Sequence, residues 1–270
     1  MKVWVLGSGS RGNATVIDNG DTRVLVDAGF SARELKRRLG TAGIAPESIE
    51  ALILTHEHSD HMCGAVRAAR RWKWSVHATS GTVNGAPDLE AVGVKTFAAG
   101  ETITFSSMQV LTVPTSHDAN EPVAVVATDV ASGARAAVVL DLGRESPGLR
   151  KGLSDVEVLV LESNHDEDLL AHGPYPISVQ RRISGYTGHL SNREAAAIAR
   201  ACSHSDLQHI VLAHISEQCN TPDHALGTAS AALARSRFRG KVTAATQDHV
   251  CGAFIGSRRG GRAVQLGLGL

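Results

Sequence analysis

Short apolar runs, turn residues and amphipathic stretches alternate along the chain and predict a succession of strands and helices. The first strand is "KVWVLGS", and the hairpin "NATVIDNGDTRVLVDAG" follows with an "NGD" turn, where Asn and Gly accept the positive φ of a tight reversal. Continuous apolar runs such as "IEALILTH", "VEVLVLESNHD" and "HIVLAHIS" predict buried strands. Helices are predicted at "SARELKRRLGTAG", where Ser31 and Glu34 form a capping box, and at "LSNREAAAIARAC", where Ser191 and Glu194 do the same.

The order of these elements predicts the fold class. Strands and a helix come first, a strand and a helix follow, antiparallel hairpins occupy the middle, and a strand, helix, strand, helix and strand close the series. Two mixed sheets packed together with helices outside satisfy this α/β order. No linker interrupts it, so we expect one domain over residues 1–250. The Gly/Arg-rich residues 251–270 are expected to be a poorly ordered tail.

Composition narrows the class of protein further. The chain has 270 residues, 43% of them hydrophobic, which is enough for a sizeable core. Its 27 basic and 27 acidic residues give a formal net charge of +0, so the net charge does not indicate a protein that coats nucleic acid or a membrane surface. A local basic patch is still compatible with this net charge. The four cysteines form no C-x-x-C pair, the first apolar run, "VWVL", is too short for a secretory signal, and no apolar run approaches the ~18 residues of a membrane span. These features predict a cytoplasmic protein with reduced thiols and no membrane contact.

Histidine is the unusual residue type, and its distribution suggests a metal site. The stretch "LTHEHSDHMCG" contains His56, His58, Asp60 and His61 directly after an apolar strand. Alternate side chains of an extended stretch point the same way, so His56 and His58 can share one metal ion. Asp60 and His61 begin the next helix, where they can bind a second ion. Three protein ligands with an open position is the arrangement of catalytic sites.

Three further candidate ligands end other predicted strands. His117 follows "QVLTVPTS", Asp141 follows "AAVVL" and His214 lies in "IVLAHIS". Taken alone, His117 or His214 is more often an ordinary hydrogen-bonded histidine, but strand ends hold side chains rigidly enough to build a site. A carboxylate can bridge two metal ions about 3.5–4 Å apart, and water bound between them ionises with a pKa of about 7. The expected nucleophile is therefore a metal-bound hydroxide.

The same motif resembles a known family. "THEHSDHMCG" is similar to the H-x-H-x-D-H signature of the metallo-β-lactamase superfamily, which has an αββα sandwich and usually a dinuclear site. The resemblance implies one metal held by His56, His58 and His117. It implies a second metal held by Asp60, His61 and His214, with Asp141 bridging and with Asp27 of "VLVDAG" orienting the site without ligating.

A narrower resemblance reaches to about residue 250. "VLGSGSRGNAT", "LVLESNHD", "GPYP", "GHLSN" and "LAHISEQCNTP" resemble the YycJ/WalJ-like branch. Members of that branch are regarded as metal-dependent phosphodiesterases, with double-stranded DNA exonuclease activity proposed, which implies DNA as the substrate. One departure is Cys219, which stands before Asn220 where the branch has two adjacent Asn. This departure concerns a side chain expected to contact the metal ligands, and it does not change any of the expected ligands themselves.

Substrate contacts are predicted in the loop "GSGSRGN". Its backbone N–H groups and the side chains of Ser8, Ser10, Arg11 and Asn13 suit a phosphate group, although a tight turn that needs glycine is the alternative. The basic stretch "RAARRWKW" could follow a phosphate backbone with its Trp residues as stacking surfaces. A solvated helix face with the Trp residues in the core is the alternative for this stretch.

Two further histidines are candidates for catalysis beside Asp60. His165 of "ESNHD" and His189 of "GHLSN" could contact the scissile phosphate or the leaving oxygen, with Glu162 or Asp166 fixing their tautomers. The alternative is that each caps a turn and does no chemistry.

Three functions follow from these features. The first is a dinuclear metal-dependent phosphodiesterase, specifically a DNA exonuclease. The second keeps the site but hydrolyses a small phosphodiester, a thioester or a lactone. The third is a non-catalytic binding module stabilised by metal, which ranks last because seven candidate ligands exceed the four of a closed structural site. Imidazole and carboxylate ligands suit zinc or manganese, with iron as a further option.

Overall fold

Two seven-stranded sheets form the centre of the molecule, in a computed structural model that describes residues 1–258. The first sheet contains β1 (Lys2–Gly7), β2 (Ala14–Asp18), β3 (Arg23–Val26), β4 (Ala51–Ile53), β5 (Ser75–Thr79) and β6 (Lys95–Phe97). The second contains β7 (Thr102–Phe105), β8 (Met108–Pro114), β9 (Val123–Asp129), β10 (Arg135–Val139), β11 (Val158–Glu162), β12 (His209–Ala213) and β13 (Lys241–Ala244). The last strand, β14 (Cys251–Ile255), returns to the first sheet beside β1.

Helices connect the strands and cover the outer faces. They are α1 (Ala32–Thr41), α2 (Ser59–Met62), α3 (Ala65–Trp72), α4 (Ser80–Gly85), α5 (Pro147–Gly152), α6 (Glu167–Ala171), α7 (Ile177–Ile183), α8 (Asn192–Ala201) and α9 (Pro222–Leu233). Two 3₁₀ turns lie at Pro46–Ser48 and Pro87–Val92. No helix within residues 1–258 combines the length and the apolar content needed to span a membrane.

Each sheet is half antiparallel and half parallel. The first has the order β14-β1-β2-β3-β4-β5-β6 and is parallel from β3 to β6. The second has the order β13-β12-β11-β10-β9-β8-β7 and is parallel from β10 to β13. Parallel neighbours need crossover connections, which explains why most helices lie beside the parallel halves.

Three apolar layers hold the sheets and helices together. Between the sheets, Val5 and Val26 of the first pack with Val125 and Val160 of the second. On the outer side of the first sheet, α1 and α3 bury their apolar faces, with Leu35 among the fully buried side chains. On the outer side of the second sheet, α8 and α9 do the same. The predicted α/β sandwich of two mixed sheets with outer helices, the αββα arrangement, is confirmed.

The predicted start of the tail is wrong. Residues 251–255 form β14, which pairs antiparallel with β1 in the register Lys2↔Ile255 and Val3↔Phe254. Phe254 is buried between the sheets, so this short apolar run both covers the edge of β1 and adds to the core. The rest of the predicted tail, from residue 259 onward, lies outside the described residues.

Local details also differ from the sequence prediction. The capping box at α8 is present, with Ser191 and Glu194 bonded reciprocally. At α1 only half of the box forms, because the carboxylate of Glu34 pairs with Arg37 and Arg38 instead. The single helix predicted from "HMCGAVRAARRWKW", which begins at His61, is divided into α2 and α3 at Gly64, where a Cβ would overlap the backbone of Phe30.

Candidate metal centre

The predicted ligands meet at one edge of the sandwich, where strands from both sheets end. His56 to His61 follow β4, His117 follows β8, Asp141 follows β10, and His214 follows β12. Asp27, Asp141 and His214 have φ values of 63°, 51° and 51°, a left-handed backbone that is uncommon for residues other than glycine. Such backbone conformations concentrate at functional sites, where the surrounding structure holds them.

A first group consists of imidazoles only. The ligand atoms of His56, His58 and His117 lie within 4.8 Å of one another. His58 Nδ1 is 3.2 Å from His117 Nε2. Three nitrogen ligands are the number that catalytic zinc sites commonly use, with a further position left for water.

A second group lies beside the first. Asp60, His61 and His214 also bring their ligand atoms within 4.8 Å of one another. Asp60 Oδ2 is 3.4 Å from His214 Nε2 and 3.5 Å from His61 Nε2. One carboxylate and two imidazoles form a second set that could hold a divalent cation.

Asp141 lies between the two groups. Its Oδ2 is 2.6 Å from His61 Nε2 and 3.7 Å from His56 Nε2, and its Oδ1 is 3.6 Å from His214 Nε2. The residue is buried, and the charges of His214 and His61 outweigh the effect of burial and hold its pKa well below the usual range. A buried, ionised carboxylate in contact with both groups is placed to bridge two cations.

The hydrogen bonds behind the imidazoles set their tautomers. His61 Nδ1 lies 2.7 Å from Asp27 Oδ2, and the Thr55 hydroxyl donates to the same carboxylate at 2.9 Å. Because the Thr55 proton is used there, its oxygen accepts from His56 Nδ1 at 3.0 Å. His117 Nδ1 donates to the carbonyl of Gly188 at 3.1 Å. Each of the three rings therefore keeps the lone pair of Nε2 for the centre.

Unsatisfied atoms at the centre indicate what it is built to hold. His56 Nε2 and Asp141 Oδ2 are buried and have no hydrogen-bond partner among residues 1–258. His61 Nε2 is close to Asp141 Oδ2, but the pair lacks hydrogen-bond geometry. Burial alone would lower the pKa of His61, yet Asp141 and Asp27 raise it well above the usual value. Several lone pairs converge in this centre, and its buried carboxylates favour a positive charge there. Both features fit the binding of divalent cations.

Glu162 positions His189 at the same edge. The Glu162 carboxylate is fully buried and accepts hydrogen bonds from the backbone N–H groups of Leu142 at 2.9 Å and Leu190 at 3.1 Å. Its other oxygen lies 2.7 Å from His189 Nδ1, which is also 3.1 Å from Asp141 Oδ1. Burial would lower the pKa of His189, but Glu162 and Asp141 raise it well above its ordinary value. The His189 side chain is partly exposed, so it can reach a substrate.

A buried amide network behind His214 was not predicted from the sequence. Asn164 Nδ2 donates to the His214 carbonyl at 3.0 Å and lies 3.1 Å from His214 Nδ1. Asn220 Nδ2 donates in turn to the Asn164 carbonyl at 3.1 Å and to Asn192 Oδ1 at 2.8 Å. Cys219 is buried, and its Sγ lies 3.3 Å from Ser216 Oγ. The polar run "ESN" at the end of a buried strand was the available signal for Asn164.

The loop of residues 7–13 supports the centre from behind, which corrects part of the prediction. Ser8 Oγ accepts from the His214 N–H and donates to Asn13 Oδ1, both at 2.8 Å. Asn13 Nδ2 is 3.1 Å from His61 Nε2 and 3.3 Å from Asp60 Oδ2. Ser8 and Asn13 are only 2% and 0% exposed, so their side chains cannot reach a substrate in this conformation.

The other two predicted contacts in this loop lie at the surface. Ser10 is exposed. The Arg11 guanidinium pairs with Glu217 at 2.6 Å and with Asp248 at 3.2 Å. Its charge is therefore already balanced by two carboxylates, and a phosphate contact by Arg11 stays a prediction.

Two further sequence predictions concern residues outside the ligand groups. His165 is buried, its Nδ1 has no hydrogen-bond partner within residues 1–258, and none of the ligand groups described above includes it. Its catalytic role stays a prediction. In the stretch "RAARRWKW", Trp72 and Trp74 are buried against the first sheet, so the alternative that they belong to the core is confirmed.

Comparison with known proteins agrees with this geometry. Residues 7–180 match the family model described as the metallo-beta-lactamase superfamily. The chain is 31% identical over 239 residues to Exodeoxyribonuclease YycJ of Bacillus anthracis, covering 87% of this chain and 89% of that protein. It is 29% identical over 226 residues to Exodeoxyribonuclease WalJ of Streptococcus pneumoniae, covering 82% and 83%.

A solved structure gives the same fold. The metallo-beta-lactamase fold protein YhfI from Bacillus subtilis matches with a TM-score of 0.69 and 18% identity, covering 93% of this chain and 98% of that one. The resemblance to the YycJ/WalJ-like branch, first inferred from short motifs, is thereby confirmed over most of the chain. With its HxHxDH turn, strand-end ligands and two-sheet sandwich, the chain belongs to the metallo-β-lactamase superfamily.

Proposed function

We propose that the protein is a dinuclear metal-dependent phosphodiesterase that degrades DNA from its ends. The family and the relatives make it a metal-dependent hydrolase. The observation that carries the finer proposal is the pair of ligand groups joined by Asp141, with His56 Nε2 and Asp141 Oδ2 buried and unpartnered between them. One closed structural site would need only four ligands.

We assign the residues to two ions in the division that the sequence suggested. His56, His58 and His117 would hold one, Asp60, His61 and His214 the other, and Asp141 would contact both. Divalent ions bound there would supply a water of lowered pKa at neutral pH and neutralise charge that develops on the phosphate. Asp27, Thr55 and Gly188 hold the Nδ1 side of the His61, His56 and His117 rings through the hydrogen bonds described above, so the Nε2 lone pairs would be free to bind the ions.

The chain also supplies a proton donor for the leaving oxygen. Glu162 accepts from His189 Nδ1 at 2.7 Å, which fixes the ring and leaves its second nitrogen for the substrate. The side chain is partly exposed at the mouth of the centre, whereas Glu162 is fully buried and cannot contact the substrate. We assign His189 as the catalytic acid and Glu162 as its positioning residue.

DNA as the substrate is supported by the relatives. YycJ and WalJ are both named exodeoxyribonucleases, and both align over more than four fifths of this chain. Zinc and manganese are the ions we propose, since imidazole and carboxylate ligands suit both.

The test begins with metal-free protein. Refilling with zinc or manganese should restore two metal ions per chain together with cleavage of duplex DNA, measured by elemental analysis and by release of labelled nucleotides. His56→Ala and Asp60→Asn should remove cleavage while the circular dichroism spectrum stays that of a folded protein.

Two outcomes would contradict the proposal in different ways. Retained DNA cleavage in both variants would exclude the assigned metal centre. Two bound ions with hydrolysis of bis(4-nitrophenyl) phosphate but none of DNA would keep the hydrolase and assign it a small ester.

A further inference from the structure

One surface segment beside the metal centre has no buried residue. It is the outer segment, residues 171–187, which contains α7 and the turn that follows. A seven-residue helix is marginal in water unless it packs against something, and in α7 only Val179, Gln180 and Ile183 are half-buried while the other four residues are exposed. The outer segment therefore presents an unpartnered face to solvent.

The exposed side chains of this face are aromatic, aliphatic and cationic. Tyr186 is 66% exposed and Ile177 is 65% exposed, the highest values among the large hydrophobic residues of the described chain. The Arg144 guanidinium lies over the Tyr186 ring, 5.4 Å from its centroid. The outer segment adds Arg181 and Arg182 and contains no acidic residue. Neither Arg144 nor Arg181 forms a salt bridge within residues 1–258.

The outer segment is attached directly to the centre. The Ser116 hydroxyl donates to the Tyr186 carbonyl at 2.6 Å, and a Cβ at Gly143 would overlap that same carbonyl. Arg182 pairs at 2.7 Å with Asp118, the neighbour of His117. Tyr186 is also two residues before Gly188, whose carbonyl holds His117. A ligand on this face would thus continue into the metal centre.

We propose that the outer segment and Arg144 hold a strand of the nucleic acid substrate, with Tyr186 as the surface on which a base stacks. An aromatic ring beside unpaired guanidinium groups suits a polynucleotide, because bases stack on the ring while arginines neutralise phosphates. The inference rests on the proposed function and specifies which surface carries substrate specificity.

A second copy of the chain is the other occupant to consider. A two-fold dimer interface is self-complementary, so this face would meet its own image. Arg144 and Arg181 would then approach like charges, with no acidic residue of the outer segment to balance them. The charge pattern therefore favours a polyanion over a second copy.

The test separates DNA recognition from chemistry at the centre. In the metal-loaded enzyme, Tyr186→Ala should raise KM for a duplex with a frayed end by roughly 5- to 150-fold, from the range known for base–aromatic stacking. Tyr186→Phe should retain the wild-type KM, because the ring is kept. Neither variant should change kcat/KM for bis(4-nitrophenyl) phosphate, since the Tyr186 contacts with Ser116 and Gly143 use the backbone.

The arginines are tested by salt dependence. Arg144→Ala and Arg181→Ala should each lower the slope of log KM for DNA against log salt by about 1, as expected for one lost phosphate contact. Val130→Ala and Arg235→Ala are matched controls, since both residues are exposed and neither belongs to the metal centre. These controls should leave both KM and slope unchanged.

Two results would overturn the inference. The first is an unchanged KM for DNA in Tyr186→Ala. If the wild type is then also a dimer that dissociates in this variant, by analytical ultracentrifugation, the face binds a second copy. The second is an equal loss with DNA and with the small ester, which would mean damage to the centre. Failure of the proposed function has a separate signature, because the wild type would then cleave the small ester but not DNA.

Discussion

Asp27 tests whether the hydrogen bonds behind the ligands control metal binding. Its carboxylate accepts from the Thr55 N–H at 2.8 Å, from the Thr55 hydroxyl and from His61 Nδ1 at 2.7 Å. Asp27→Asn has almost the same shape but replaces one acceptor oxygen with an NH₂ donor. No rotation of the amide satisfies both neighbours, because each of them already offers a proton to this side chain.

The size of the effect follows from these contacts. If the amide oxygen stays on Thr55, the NH₂ faces His61 Nδ1 and moves the ring proton to Nε2, which removes the lone pair meant for the metal. The opposite rotation leaves a buried N–H of Thr55 unsatisfied, at a cost of about 1–3 kcal/mol. We therefore expect the affinity of the Asp60/His61/His214 group for its metal to fall by roughly 10- to 100-fold, the usual effect of losing such a partner.

The assay is a titration of metal-free protein with zinc against a competing chromogenic chelator. The wild type should show two binding events, and Asp27→Asn should weaken one more than the other. Asp129→Asn is the matched control, since Asp129 is also a mostly buried carboxylate but bonds Ser132 and Asn19 at the opposite end of β9. Two unchanged affinities in Asp27→Asn would refute the claim that Asp27 sets the tautomer of His61.

Three further predictions use other parts of the structure. Glu162→Gln keeps an oxygen for the Leu142 and Leu190 N–H groups but turns an NH₂ donor towards His189 Nδ1. We expect kcat for DNA to fall by roughly 100-fold while elemental analysis shows an unchanged metal content. An unchanged kcat would exclude His189 as the acid. Burial, with Lys95 nearby, lowers the pKa of His77 to about 4. The unfolded chain then binds this proton more tightly, and stability should fall as pH drops from about 6.5 to 4. In metal-free protein His77→Gln should reduce that fall by about 3 kcal/mol in urea unfolding, and parallel pH curves would contradict the assignment. Phe254→Ala should lower the free energy of unfolding by about 3 kcal/mol, because the ring packs between the sheets, whereas no loss would mean that β14 is not part of the core.

The sequence by itself determined the features that depend on near neighbours. Apolar runs of strand length predicted the buried strands, and the i, i+2 spacing of His56 and His58 placed both imidazoles on one side of an extended turn. The capping box at α8 was also correct, because Ser191 and Glu194 are three residues apart and act through the local backbone. Strand ends gave the candidates His117, Asp141 and His214, since polar residues that follow buried strands lie at sheet edges.

Only the tertiary structure decided which side chains face one another. The bond from the His214 N–H to Ser8 Oγ joins residues 206 positions apart, and it converts a predicted phosphate contact into a support for the ligand. The pairing of β14 with β1 is equally remote, so periodicity alone assigned that stretch to the tail. The exposed Tyr186 and the buried Trp72 are indistinguishable by residue type in the sequence. Their different environments follow from the packing of the sheets, because burial depends on contacts between distant segments that no local pattern records.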